Sequence, residues 1–210
     1  MEDNAKILLR LGWAIIVVCA LSLAGFTFIY FSFQPNVFFL LKKQDVVFNV
    51  FWRTAFYLHI TGGMLALSTG PFQFIRNFRN KHLHLHRTLG KIYLMSIFFL
   101  GAPAGLFMAF YAEGGLFSSM GFCLMALLWL FTTWRAYECI LEKKITDHRN
   151  WMLRSYALTF AAVTLRLWVP FGTRVLFIDK HTVVVLSAWI SWIPNLIVAQ
   201  LLTKISRKII

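Results

Sequence analysis

Two histidines, His59 and His86, occupy the same short sequence frame, Leu-His-x-Thr-x-Gly. On an α-helix, residues four positions apart share a face, so His59 would lie one turn from Gly63, and His86 one turn from Gly90. A glycine beside an imidazole leaves a flat space, which suits a planar macrocycle whose metal the imidazole binds. The alternative is that these glycines only allow close packing between membrane helices.

The composition indicates that the elements carrying these histidines are membrane helices. Of the 210 residues, 59% are hydrophobic and 14% are charged, whereas about 25% of the residues of a soluble domain are charged. We therefore expect a multi-pass protein of the inner (plasma) membrane. The formal net charge of +13 does not indicate nucleic acid as a partner. The basic residues cluster between apolar segments, where they set topology and contact anionic lipid headgroups on the cytoplasmic side.

Six apolar segments have about the 20 residues that a bilayer crossing needs. They cover residues 7–33, 52–75, 90–111, 117–140, 150–171 and 182–203. The segment 34–50 between the first two is apolar but carries three charged residues, which predicts a short amphipathic helix along the interface. The expected fold is all-α, a six-helix transmembrane bundle in a single domain of residues 1–210.

The distribution of lysine and arginine predicts the orientation. Fifteen of them fall on the side that holds both termini and five fall on the other side. Because cytoplasmic loops carry the excess of positive charge, both termini are expected in the cytoplasm. None of the eight acidic residues lies at the centre of a span. This disfavours proton-coupled transporters, membrane hydrolases and carboxylate–metal enzymes, which need a buried carboxylate.

The topology sorts four histidines into two pairs by depth. His86 and His148 open the third and fifth spans on the cytoplasmic side, at matching depth. On the outer side, His59 lies seven residues into the second span and His181 starts the sixth. Two pairs on two sides is the pattern of a di-haem membrane cytochrome, in which each iron takes two axial imidazoles from facing helices. The metal ligands predicted in this way are His86, His148 and His59.

Each pair has an alternative explanation. His148 could be a loop histidine near a helix start, with Asp147 as the cap. His181 is favoured as a surface residue, because its depth differs from that of His59 by close to two helix turns. Three arginines near the inner pair could hold haem propionates through charge-assisted hydrogen bonds. They are Arg87, Arg149 and Arg154.

Arg166 is the only basic residue well inside an apolar segment. It would lie roughly 8 Å from the outer surface, at nearly the depth of His59. One explanation is that its side chain extends to water or lipid phosphate, helped by Asp179 or Glu113 in the outer loops. The other is that Arg166 and His59 face one outer polar pocket. There Arg166 would hold an anionic group, such as a haem propionate or an acidic substrate.

The run His86-Arg87-Thr88-Leu89-Gly90 resembles the His-Arg-x-x-Gly signature of the ascorbate-dependent transmembrane cytochromes b. This resemblance implies a six-helix fold with two b haems and four axial histidines, passing electrons to monodehydroascorbate or ferric iron. It implies one haem pair of His86 and His148, and makes His59 half of the other. The expected partner of His59 is missing, because the span 117–140 has no histidine.

A fuller resemblance, from the second span onward, is to a family of bacterial predicted membrane proteins of unknown function. Its motifs stand here as His59–Gly63, Gly70–Phe74, His86–Tyr93 and Asp147–Ala157. This resemblance implies no activity. The function expected from the residues is a haem b-binding membrane electron-transfer protein, a transmembrane oxidoreductase with a redox partner. The alternative is a lipid-binding or structural membrane subunit without a cofactor.

Overall fold

The computed structural model describes the backbone of residues 2–209, and the side chains of residue 7 and of residues 11–204. The described backbone is helical and contains no strand, which confirms the all-α fold. Four basic residues behind the orientation prediction have side chains outside the described set, namely Lys6, Arg10, Arg207 and Lys208. The α-helices are α1 (Glu2–Thr27), α2 (Val50–Thr69), α3 (Arg76–Lys81), α4 (Leu83–Met95), α5 (Ala102–Ala109), α6 (Gly115–Leu141), α7 (Ile145–Thr159), α8 (Ala161–Arg174), α9 (Lys180–Ile190) and α10 (Ile193–Ile209).

Four helical segments of the described chain are long and apolar enough to cross a membrane. They are Leu11–Ser32, Leu83–Ala109, Gly115–Leu141 and Lys180–Lys204. The segment Leu83–Ala109 joins α4 to α5 through one π-helical stretch, Ser96–Gly101. Its helix begins seven residues before residue 90, where the predicted span starts, and His86 lies in its first turn, as expected for a residue that opens the span.

Small residues bring α2 close to the π-helical stretch. A Cβ atom at Gly62 would lie 2.7 Å from Ser96 O and 2.8 Å from Gly101 Cα, so only glycine fits there without a backbone shift. Beyond this contact, α6 packs against α5 and α7, and α7 against α10. Tyr93 and Ile97 are fully buried in the resulting core.

The segment expected to form an amphipathic helix between α1 and α2 folds differently. It contains one 3₁₀-helix, Phe38–Lys42, followed by turns. Leu40 and Val47 are fully buried, and the Nζ atom of Lys43, only 8% exposed, donates to the carbonyl of Tyr111 at 2.6 Å. A helix lying flat on the interface could not bury all three side chains, which explains the difference. The segment helps to build an aromatic cap, which consists of Tyr30, Phe39, Trp52, Phe56 and Tyr57.

Candidate functional site

The structure brings the two inner histidines together at equal depth. Tyr93 lies seven residues after His86 on α4, and Ser155 lies seven residues after His148 on α7. Seven residues are two helix turns, so both residues of each pair share a face. The Tyr93 hydroxyl and Ser155 Oγ share a hydrogen bond of 2.8 Å, which fixes the register of α4 against α7. His86 and His148 are therefore level, and they are close enough to interact electrostatically.

Hydrogen bonding fixes the protonation of the His148 ring. Its Nδ1 atom is 2.8 Å from the carbonyl oxygen of Ala136 on α6. Because a carbonyl oxygen only accepts, Nδ1 carries the proton and Nε2 keeps its lone pair. This is the usual arrangement of a histidine that ligates a metal through Nε2. The facing His86 is half-buried, and its Nδ1 atom is buried without a hydrogen-bond partner.

Two further buried donors near this pair also have no hydrogen-bond partner. They are the amide nitrogens of Gln73 and Asn150. Gln73 packs against Gly90, one turn beyond His86, because a Cβ at Gly90 would lie 3.3 Å from its Oε1 atom. Buried polar groups are normally hydrogen-bonded. A group with carboxylate oxygens, such as a haem, would satisfy donors of this kind, so the residues present fit that group.

The three predicted inner arginines have different surroundings. Arg87 is exposed and interacts electrostatically with His86, as Arg79 does. Arg149 is exposed near the start of α7. The guanidinium of Arg154 donates to Oε1 of Gln200 at 2.7 and 3.0 Å and lies 4.5 Å from the centre of the Trp151 ring. Arg154 is thus engaged with α10, and Arg87 is the predicted arginine placed beside an inner histidine.

A buried chain of hydroxyl groups lies two turns deeper than the inner histidines, and the sequence interpretation missed it. Tyr93 OH is 2.8 Å from both Ser155 Oγ and Thr159 Oγ1, and Thr133 Oγ1 is 2.7 Å from Ser155 Oγ. The indole N–H of Trp129 donates to Thr159 Oγ1 at 2.9 Å. We call these five residues the hydroxyl chain. The spacing of seven residues from each inner histidine was the signal that could have located it.

The His59 ring lies over a glycine of another helix. Its Nδ1 atom donates to the carbonyl of Gly101 at 2.7 Å, so Nε2 again keeps its lone pair. The ring reaches this carbonyl because Gly105 has no side chain, and a Cβ there would lie 2.8 Å from His59 Nδ1. Gly63, the glycine one turn away on the same helix, faces open space instead, with no atom within 4 Å of a Cβ.

Arg166 lies near His59, and His181 lies elsewhere. The guanidinium of Arg166 donates to the carbonyl of Ala162 at 2.9 Å, and its charge is close enough to act on the His59 ring. The exposed His181 lines an open groove of about 430 Å³, and nothing in the described part of the chain connects it with His59. Glu113, Asp179 and Lys180 line the same groove.

Neither the described side chains nor the comparisons with known proteins identify an activity. Among the described residues, no group of three or more histidine, cysteine or acidic side chains could hold a metal ion. Residues 56–203 match the family model described as "Predicted membrane protein (DUF2306)". No curated protein and no solved structure matches the chain.

Proposed function

We propose that this chain, which belongs to the DUF2306 family of predicted membrane proteins, is a haem b-binding electron-transfer protein of the inner membrane. The observation that supports this proposal is the level pair of His86 and His148 on neighbouring spans. A bis-imidazole haem needs only two protein ligands, so a cluster of three metal-binding side chains is not required.

The proposed architecture has six membrane spans with both termini in the cytoplasm. Four of them are the long apolar segments, and α2 and the pair α7–α8 are the other two. The 20 residues of α2 extend about 30 Å at 1.5 Å per residue, which matches the hydrocarbon core of a bilayer. The excess of lysine and arginine at one end supports the orientation, and anionic lipid headgroups are the proposed partners there.

The chain's own residues have distinct roles at the inner site. His86 and His148 would hold the haem through their Nε2 atoms, and the Ala136 carbonyl keeps the His148 ring oriented. The positive charge of Arg87 beside His86 favours a propionate at that edge. The bound haem would supply reversible one-electron chemistry.

One feature favours a second candidate function, a lipid-binding or structural subunit without a cofactor. Arg79 and Arg87 both interact with His86, and such a cluster of cations also suits lipid phosphates. The colour of the purified protein distinguishes the two candidate functions, because only the haem-binding protein would absorb visible light.

The test is the absorption spectrum of the protein purified from haem-replete cells, oxidised and reduced. His86→Ala and His148→Ala should each remove the same spectral component, because one missing axial ligand leaves the iron weakly held. His84→Ala is the matched control, since this exposed histidine lies on the same helix two residues from His86. Arg87→Ala should shift the midpoint potential with little loss of haem.

Two results would reject the proposal. A haem content that both histidine substitutions leave unchanged would exclude the inner pair as ligands. A colourless wild-type protein would exclude the cofactor and favour the lipid-binding subunit.

A further inference from the structure

A groove that carries two basic residues lies at the connection between α8 and α9. Its volume is about 480 Å³, within the range of roughly 300–1,000 Å³ of ligand pockets. The lining residues come from the end of α8, the connection and the start of α9, namely Val169, Pro170, Thr173, Arg174, Ile178 and Lys180. The apolar helical segment Leu83–Ala109 begins beside His86. Glu113, just beyond its other end, lines a neighbouring groove together with Lys180, so the basic groove lies at the opposite end of the bundle from the inner histidines.

Backbone contacts fix the two sides of the basic groove relative to each other. The amide of Ile178 donates to the carbonyl of Gly172 at 3.0 Å, which folds the connection back onto the end of α8. A Cβ at Gly172 would lie 2.7 Å from Cγ2 of the buried Val183, so the glycine lets α8 and α9 approach closely. Arg174 and Lys180 are therefore held on either side of one short, tightly folded connection.

The two basic side chains of the groove have no partner within the described part of the chain. Arg174 and Lys180 are exposed and make neither a hydrogen bond nor an ion pair there. Other basic residues before α2 and at its start are engaged, since Lys43 donates to the Tyr111 carbonyl and Arg53 to a backbone carbonyl at 2.6 Å. Two cations without a partner on one groove favour an anionic ligand.

The nearby acids do not neutralise the groove. No acidic residue lines it, and Glu113 and Asp179 line the neighbouring groove instead. The carboxylate of Asp179 accepts from the amide and the hydroxyl of Thr182, at 2.9 and 3.2 Å. The lining of the basic groove thus carries two positive charges and no negative charge.

The position and the apolar surroundings of the groove indicate that the anion belongs to a lipid. Lys180 begins the segment Lys180–Lys204, which is long and apolar enough to cross a membrane, so the groove lies at the level of a membrane surface. Val169, Pro170 and Ile178 supply an apolar wall. The connection beside this wall ends in Phe177, which is 85% exposed and has a φ of 52°, in the left-handed region that bulky side chains rarely adopt. A free anion in water would gain nothing from these apolar side chains, whereas the acyl chains of a lipid would cover them.

We propose that this groove binds the headgroup of an anionic phospholipid of the phosphatidylglycerol type. Its phosphate lies between Arg174 and Lys180, and an acyl chain follows the apolar wall of Val169 and Ile178. The ammonium group of a zwitterionic lipid would add a third positive charge beside the two cations, which disfavours that class. The assignment depends neither on haem at the inner pair nor on which end of the bundle faces the cytoplasm, so it can fail without the proposed function.

The test is native mass spectrometry of the purified protein in detergent, with equal amounts of phosphatidylglycerol and phosphatidylcholine that carry the same acyl chains. The wild type should retain phosphatidylglycerol in preference. Arg174→Gln and Lys180→Gln together should remove one retained phosphatidylglycerol per protein, and each alone should weaken that binding roughly fivefold, because one cation near a membrane surface contributes about 1 kcal/mol. Lys42→Gln is the matched control, since this exposed lysine lies before α2 and lines neither groove.

A second variant separates the shape of the groove from its charge. Thr173→Trp fills the groove and keeps both cations, so it should keep the wild-type melting temperature and still lose one phosphatidylglycerol. An unchanged lipid count in the double variant or in Thr173→Trp would overturn the proposal. An equal loss in Lys42→Gln would indicate a diffuse effect of surface charge and would also overturn it. Displacement of the lipid by an equal concentration of glycerol phosphate would identify a site for a free anion instead and would overturn the lipid assignment.

Discussion

The contact between Gly62 and the π-helical stretch allows a direct test of how the histidine on α2 is positioned. Replacing Gly62 by alanine places a Cβ 2.7 Å from Ser96 O, whereas ordinary contacts begin at 3.4 Å. The backbone nitrogen of Gly101 lies closer still, so the two helices must separate by more than this difference of about 0.7 Å. Both partners are backbone, so no side-chain rotation can relieve the overlap.

The same displacement acts on His59, which lies on the same helix one turn from Gly62. Its bond to the Gly101 carbonyl, 2.7 Å long, would lengthen to about 3.4 Å, beyond the usual N–H···O range. Overpacking costs about 1–3 kcal/mol, and loss of one hydrogen bond costs about 1 kcal/mol more. The gain in helix propensity from glycine to alanine, about 1 kcal/mol, offsets part of this cost. We therefore expect Gly62→Ala to lower the free energy of unfolding by about 1–3 kcal/mol.

Denaturant unfolding in a mild detergent measures this free energy, and the neighbouring glycine supplies the control. Gly63→Ala introduces the same methyl group at a position with no atom within 4 Å. It should be neutral or slightly stabilising, because alanine favours helix over glycine by about 1 kcal/mol. Equal unfolding free energies for the two variants would refute the close contact between α2 and the π-helical stretch, and with it the positioning of His59.

Three further substitutions have expected outcomes. Tyr93→Phe removes two buried hydrogen bonds and should cost about 1–3 kcal/mol of unfolding free energy, measured by thermal unfolding. Lys43→Met removes the bond to the Tyr111 carbonyl and should make the segment before α2 more accessible to protease. Asp179 accepts a hydrogen bond from the Thr182 amide, which holds the pKa of its carboxyl below its usual range. The hydrogen bond therefore stabilises the start of α9 fully at pH values above the ordinary pKa of the carboxyl. This stabilisation is lost as the pH falls through the lowered pKa of the carboxyl in the folded protein. Asp179→Asn should remove that part of the acid sensitivity, measured by melting temperature against pH.

Depth along the spans was predictable from the sequence, because helix rise is constant at 1.5 Å per residue. Counting residues from the span ends placed His86 level with His148, and Arg166 near the depth of His59. In the structure the two members of each pair lie within electrostatic range of each other. The mismatch between His59 and His181 followed from the same count, and the structure does not bring those two together.

Contacts between different helices were not predictable in this way, because they depend on the rotation of each helix about its axis. The frame Leu-His-x-Thr-x-Gly suggested Gly63 as the glycine beside His59, whereas the ring lies over Gly105 of α5. Nothing in the frame marks the π-helical stretch, nor the carbonyls of Gly101 and Ala136 that fix the two imidazoles. The fold of the segment before α2 depends on the burial of Lys43, which a charge count assigns to the surface.

The hydroxyl chain has fewer hydroxyl protons than hydrogen bonds that need one. The chain has four hydroxyl groups, which belong to Tyr93, Thr133, Ser155 and Thr159. They take part in five hydrogen bonds that each need a hydroxyl proton: three between hydroxyl groups, and two to the backbone carbonyls of Trp129 and Ser155. One contact always lacks a proton, so the row has several proton arrangements that differ in the direction of its dipole. When the charge at the inner histidines changes, the hydroxyl groups would rotate to stabilise the new charge, and no heavy atom would have to move. The interior beneath that pair would behave as a polarisable medium, visible as a shift of O–H stretching bands between the two charge states.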